Sequence, residues 1–253
     1  MTGDAIPAAT LIVVRDRASG PPELLMVERA GGMAFAAGAL VFPGGRIDHA
    51  DHDLAAAPGV GDGAGAGAGA VVAAIRETLE ETAVAVGITP QPDAARAAAL
   101  QSALVAGQPF AAVLGDGGFT LDLDALTPFA RWVPKFHAVR RFDTLFYIAR
   151  SPSGNWLPRV VAGECSNASW LSAAAVLDQE KRGEARLIFP TRRTLERLAL
   201  HGSFAAIKAD AAAHPIEPVT PWIEERDGLQ YITIPDHLGY PVTAEAFDGQ
   251  WRG

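Results

Sequence analysis

The chain has 253 residues, 49% hydrophobic and 20% charged, which is ample for a sizeable core and too apolar for a mostly disordered polymer. Asp and Glu outnumber Lys and Arg by 29 to 21, so the net charge is −8 and the dense basic face of a broad nucleic-acid binder is excluded. A single cysteine, Cys165, excludes an intramolecular disulfide framework. The first twenty residues lack a basic start, and their apolar run breaks at Arg15-Asp16. The most apolar long window, Leu54 to Ile75, is mostly Gly and Ala with Pro58 and Asp62, a poor fit to lipid. The expectation is a soluble cytoplasmic protein with no membrane and no nucleic-acid partner.

Ala8 to Val14 and Glu23 to Val27 read as strands joined through the turn signal at Gly20-Pro21-Pro22, a candidate hairpin. Leu40-Val41-Phe42 is a third short strand, stopped by Pro43-Gly44-Gly45. Asp48 to Ala70 turns polar and then alternates Gly with Ala, the composition of a flexible loop. A helix follows from about Val71 to Val84, with Gly87 as its stop. Thr89 is placed to cap a helix that begins at Pro90 and carries Ala94 to Val105, with another short helix over Gln108 to Leu114. Strands return near Ala130 to Val133, at Thr144 to Ala149 and around Ser169 to Leu171. Ser172 caps a helix over Ala173 to Gln179, Thr191 caps one over Arg192 to His201, and Leu229 to Ile234 is strand-like. Strands and helices interleave without regular βαβ spacing, which favours an α/β domain with a mixed sheet.

The chemistry concentrates in Ile75 to Glu81, IRETLEE. Glu77, Glu80 and Glu81 sit at i, i+3 and i+4, so one side of a helix carries all three carboxylates. Like charges at that spacing repel, and folding does not ask for them. A hard divalent cation does, Mg²⁺ or Mn²⁺, held by carboxylate oxygens together with substrate phosphates. Arg76 reaches Glu80 at i+4 and holds its carboxylate in place. A solvated acidic helix face would explain a lone Glu-x-x-Glu-Glu. The Phe42-Pro43-Gly44-Gly45 turn upstream argues against that, because it lets backbone approach a ligand closely.

From Gly45, through Asp51 and on to Arg76, Glu77, Glu80, Glu81 and Val84, the sequence resembles the Nudix box, G-x5-E-x7-R-E-U-x-E-E-x-G-U, where U is a bulky apolar residue. It departs from that pattern at four points. Asp51 stands where the family has Glu, and Thr78 replaces an apolar residue. Ala83 replaces the second Gly and is small enough to be tolerated there. Before Arg76 there are 24 residues, His52 to Ile75, where the family has seven, which leaves the role of Asp51 open. The stretch Phe42 to Asp51 resembles more narrowly the Nudix group of coenzyme A diphosphatases with an interrupted box. Leu24-Leu25 with Arg29, Gly38, Trp132-Val133-Pro134 and Arg140 to Thr144 extend that likeness, although the segment after Arg29 matches the coenzyme A motif only in part.

The resemblance implies an α/β/α sandwich with a mixed sheet, as a single elaborated domain over residues 1–253. In it the box spans 45–84 with a Gly/Ala-rich insertion at about 52–70, a helical insertion covers about 89–126, and a C-terminal extension covers about 205–253. It implies a metal-dependent diphosphatase acting on a nucleoside diphosphate linked to another group, with coenzyme A or acyl-CoA in view. ADP-ribose, NADH or dinucleotides are alternatives, and so is a non-catalytic binding module. Glu77, Glu80, Glu81 and the Gly45 carbonyl would hold Mg²⁺ or Mn²⁺. Glu80, Arg76 and Glu164 would be catalytic, with Glu80 and Glu164 both open as the general base. Arg29, Arg140 and Arg141 would grip substrate phosphate. Asp48, His49, Asp51, His52 and Asp53 read as a solvated polar loop more than as a second metal cluster. The oligomeric state stays open, a homodimer among its options.

Overall fold

The computed structural model describes residues 5–32, 36–60, 67–133, 141–161, 163, 165–247 and 249. Its centre is β1 (Ile6–Arg15), whose residues alternate between two cores. Ala9, Leu11 and Val13 join one hydrophobic cluster and Ile12 and Val14 the other, as a period of two requires of a strand buried on both faces. β1 runs parallel to β8 (Phe142–Arg150) along its whole length, from Ile6 opposite Phe142 to Val14 opposite Arg150. The expected hairpin with β2 (Glu23–Arg29) closes only over Val14–Leu24 and Arg15–Glu23. Beyond that, β2 pairs with β3 (Leu40–Val41) and with β9 (Cys165–Ser172). Pro43-Gly44-Gly45 does not end the sheet: β4 (Gly44–Arg46) turns back onto β1, with Ala9 opposite Gly45. β7 (Thr127–Trp132) and the short β10 (Pro218–Val219) complete a mixed sheet of eight strands.

Helices cover both faces. On one side lie α1 (His49–Ala55), α2 (Ala68–Thr82), α3 (Ala94–Val105) and α4 (Phe110–Gly117), packed around Val72, Ile75, Leu79, Ala97, Leu100 and Val113. On the other lie α5 (Ala173–Lys181), α6 (Phe189–Leu198) and α7 (Phe204–Ala213), packed around Val176, Leu195, Leu198 and Ile207. The architecture is the α/β/α sandwich expected. β11 (Trp222–Arg226), β12 (Leu229–Thr233) and β13 (Ala244–Ala246) make a separate small sheet, with Asp227-Gly228 as its two-residue hairpin turn. No described helix is long and apolar enough to cross a membrane.

Several expectations are corrected. The segment 48–70 is not wholly a loop, because Asp48 and Asp51 form a reciprocal capping box that starts α1. Thr89 caps nothing: it lies in β5 (Ile88–Thr89), paired with β6 (Thr120–Leu121), and Asp93 caps α3 by accepting from the Arg96 N–H. Thr191 sits inside α6, where Ile188 holds the cap position and Pro190 the first turn. Gly87 does not stop α2, which ends four residues earlier with Ala83 in the left-handed region at φ 57°. The region after 205 contains an unread helix, α7, capped by Ser203 through the Ala206 N–H. From it and the chain beyond, Ile207, Ala211, Val219, Ile234, Leu238 and Tyr240 enter the second core.

Candidate active site

The two halves of the box meet in space. Arg76 donates from Nε to Asp51 Oδ1 at 2.9 Å and from Nη2 to Asp51 Oδ2 at 3.0 Å, a bidentate fork. Its Nη2 also donates to the Arg46 carbonyl at 3.1 Å, and its Nη1 to Glu77 Oε1 at 2.9 Å and Glu80 Oε2 at 3.5 Å. Asp51 is 2% exposed. Burial pulls the Arg76 pKa down. The hydrogen bond to Asp51 and the charges of Glu77 and Asp51 outweigh that pull and hold the guanidinium above its ordinary value. Asp51 and Arg76 therefore meet although 24 residues intervene between them.

Both glycines of the turn serve the glutamates. The Gly44 N–H donates to Glu81 Oε2 at 3.0 Å. A Cβ on Gly45 would fall inside the Glu77 carboxylate, so only glycine lets that carboxylate lie on the main chain. Glu81 is nearly buried, and the thiol of Cys165 on β9 lies 3.7 Å from its Oε1. The lone cysteine of the sequence thus borders the box. Arg29 faces Cys165 directly across the β2–β9 pair, which places it on the strand beside Glu81. Arg141 lies farther off. Its carbonyl accepts from Ile6, and Gly45 pairs with Ala9, so it stands roughly 10 Å along β1 at the rise of a strand. Arg140 and Glu164 lie outside the described residues.

The position before Leu79 takes threonine without an orphaned hydroxyl. Thr78 is buried and bonds back to the Ala74 carbonyl at 2.7 Å. The polar residues around α1 diverge. Asp51 is committed to Arg76, His49 and Asp53 stand in solvent, and the His52 ring lies against Gly69. Among the described residues, no three His, Cys, Asp or Glu groups already converge on a metal position. The donors available on α2 are hard carboxylate oxygens beside the half-buried main chain of Gly45, a set suited to Mg²⁺ or Mn²⁺ rather than to a thiophilic ion.

No protein-family model matches the chain, and no curated protein matches it. Among solved structures it is similar to a Nudix hydrolase from Alicyclobacillus acidocaldarius, with a TM-score of 0.68 and 29% identity over 83% of this chain and 97% of that one. Looser likenesses include the Nudix domain of Shewanella oneidensis NrtR complexed with ADP ribose (TM-score 0.45, 14% identity, 77% and 86% covered). Another is a MutT protein from Methanosarcina mazei Go1 (TM-score 0.42, 13% identity, 78% and 95% covered). Likeness at that level carries no argument here. The α/β/α sandwich is thus the fold of the first of these neighbours, a Nudix hydrolase, and the box residues reassembled across the insertion are in keeping with that likeness.

Proposed function

We propose that the chain hydrolyses the diphosphate linkage of a nucleoside diphosphate joined to another group, and that coenzyme A or an acyl-CoA is such a substrate. The observation that carries the reaction class is the bidentate Asp51–Arg76 pair, which rebuilds the box around Glu77, Glu80 and Glu81. The coenzyme A reading rests on the FPGGRIDHAD stretch from Phe42 to Asp51 and on Arg29 beside Cys165.

In this reading Glu77, Glu80, Glu81 and the Gly45 carbonyl hold the divalent metal. When bound, Mg²⁺ or Mn²⁺ neutralises diphosphate charge and makes an attacking water more acidic. The protein's own part is positional. Arg76 stays charged and steers Glu77 and Glu80, while Gly44 and Cys165 fix the two oxygens of Glu81. Of the two glutamates that Arg76 reaches, Glu80 is the more exposed, at 33% against 14% for Glu77, and so the one better placed to take a proton from water. Glu164 is the other base proposed from the sequence.

The test is a hydrolysis panel with Mg²⁺ or Mn²⁺ over acyl-CoAs, ADP-ribose, NADH and dinucleotide polyphosphates, products identified by mass. Cleavage of CoA species is expected. Cleavage of ADP-ribose alone removes the coenzyme A reading. A Glu81→Gln variant as active as the parent chain removes the metal assignment.

A further inference from the structure

The glutamate-bearing helix has an unusual end. In an uninterrupted helix the Val84 N–H would bond the Glu80 carbonyl. Here Ala83 turns left-handed, and the Val84 N–H goes instead to Thr82 Oγ1 at 3.2 Å. The last-turn carbonyls are then met from outside the helix. Gln101 of α3 donates from Nε2 to the Glu80 carbonyl at 3.0 Å, and Arg159 donates its backbone N–H to the Thr82 carbonyl at 2.8 Å. The same Gln101 Nε2 donates to the Arg159 carbonyl at 2.7 Å, closing a three-way tie.

Gln101 is fully buried, and its Oε1 finds no hydrogen-bond partner among the described residues. Two carbonyls can only accept, so the amide must turn its NH₂ toward them and leave its oxygen orphaned. An unmatched buried acceptor costs about 1–3 kcal/mol. An apolar residue of the same shape would avoid that cost, as its neighbours Ala97, Leu100 and Leu104 do on the same helix.

We infer that Gln101 is a positioning residue of the diphosphatase site. It fixes the terminal turn that carries Glu80 and Glu81, and it locks to that turn the connection between β8 and β9. The helical insertion thus belongs to the catalytic apparatus and is more than peripheral packing. The inference rests on the metal-dependent reading of these glutamates.

The test compares Gln101→Met, which keeps the volume and removes the donor, with Leu104→Ala, which opens a cavity in α3 without touching either carbonyl. Mn²⁺ affinity is read by electron paramagnetic resonance, and kcat and KM on the best substrate of the panel, all well below each variant's Tm. Gln101→Met is expected to weaken Mn²⁺ binding severalfold and to lower kcat at least tenfold, with substrate KM within about twofold. Leu104→Ala is expected to lower Tm while leaving Mn²⁺ affinity and kcat near those of the parent. Parental Mn²⁺ affinity and kcat in Gln101→Met overturn the inference alone, as does an equal loss in Leu104→Ala. A parent chain that neither binds Mn²⁺ nor hydrolyses any diphosphate overturns the functional reading and this inference together.

Discussion

Replacing Asp51 by Asn removes one charge from the pair on which the site is built. Asp51 is 2% exposed and the Arg76 side chain 13%, so neither charge is well served by water. Breaking a buried ion pair from one side costs about 3–5 kcal/mol, because the other charge stays behind. Arg76 keeps Glu77 at 2.9 Å and Glu80 at 3.5 Å, which favours the lower end, about 3 kcal/mol. For a chain of this length that is a fall in Tm of roughly 6–12 °C. The released guanidinium also turns fully onto Glu77 and Glu80 and competes with metal, so activity should fall more than stability does. The assay is calorimetric unfolding of Asp51→Asn, Arg76→Met and the double variant, with hydrolysis rates alongside. A coupling free energy of about 2 kcal/mol is expected between the two sites. If Asp51→Asn melts within 2 °C of the parent, or the coupling is under about 0.5 kcal/mol, the ion pair does not organise the site. Asp51→Glu, the family's own residue, keeps both the pair and the usual acidic member of a capping box and should retain activity.

Gly45→Ala should abolish activity while leaving Tm within a few degrees, since its Cβ collides with the Glu77 side chain; Gly44→Ala, colliding with Ala9 and Thr10 backbone at φ 155°, should instead lower Tm sharply. A hydrolysis assay and a melt on each variant separate the two roles. Ala83→Gly should raise stability by about 0.5–1 kcal/mol, because a left-handed alanine costs roughly 1–2 kcal/mol and the unfolded glycine chain returns part of the gain. A lowered Tm would contradict the strain. Burial pushes Tyr147 and Tyr240 from the usual 10.0 up to about 12. Their folded values lie above the unfolded one, so they lend stability below pH 10 that is lost as pH rises toward 12. Absorbance titration near 295 nm should show these two ionising together with alkaline unfolding; ionisation near pH 10 in the folded chain would refute the burial argument.

The sequence was readable where a pattern is local. Gly45, Arg76, Glu77, Glu80 and Glu81 stand out because helical spacing and one turn put them together, and α3 and β8 follow from their own periodicity. Asp51 could not be paired with Arg76 across 24 residues without the fold. Helix α7 was hidden because alanine on most faces blurs its period, although Ser203 followed by Phe204, Ile207 and Ala211 was an available signal. The Thr191 and Thr89 caps failed for the opposite reason: both residues have the right chemistry, but Pro190 opens α6 earlier and β6 draws Thr89 into a strand. Gln101 and Cys165 carried no local signal, since what marks them is the Glu80 carbonyl and the Glu81 carboxylate they meet in the folded chain.

The interrupted box shows why a catalytic motif tolerates a long insertion at that point. Even treated as a free chain, lengthening the link from seven to 24 residues adds only about 1 kcal/mol of closure entropy. The bidentate pair that joins its ends, with Asp51 also capping α1, offsets more than that. The insertion leaves the i, i+3, i+4 spacing of the glutamates untouched, because it enters before α2 reaches them. An insertion of the same length between Glu77 and Glu80 would have no such remedy, since no distant ion pair restores the phase of a helix. Chain length is therefore cheap between the halves of this site and forbidden within the turn that Gln101 and Arg159 hold.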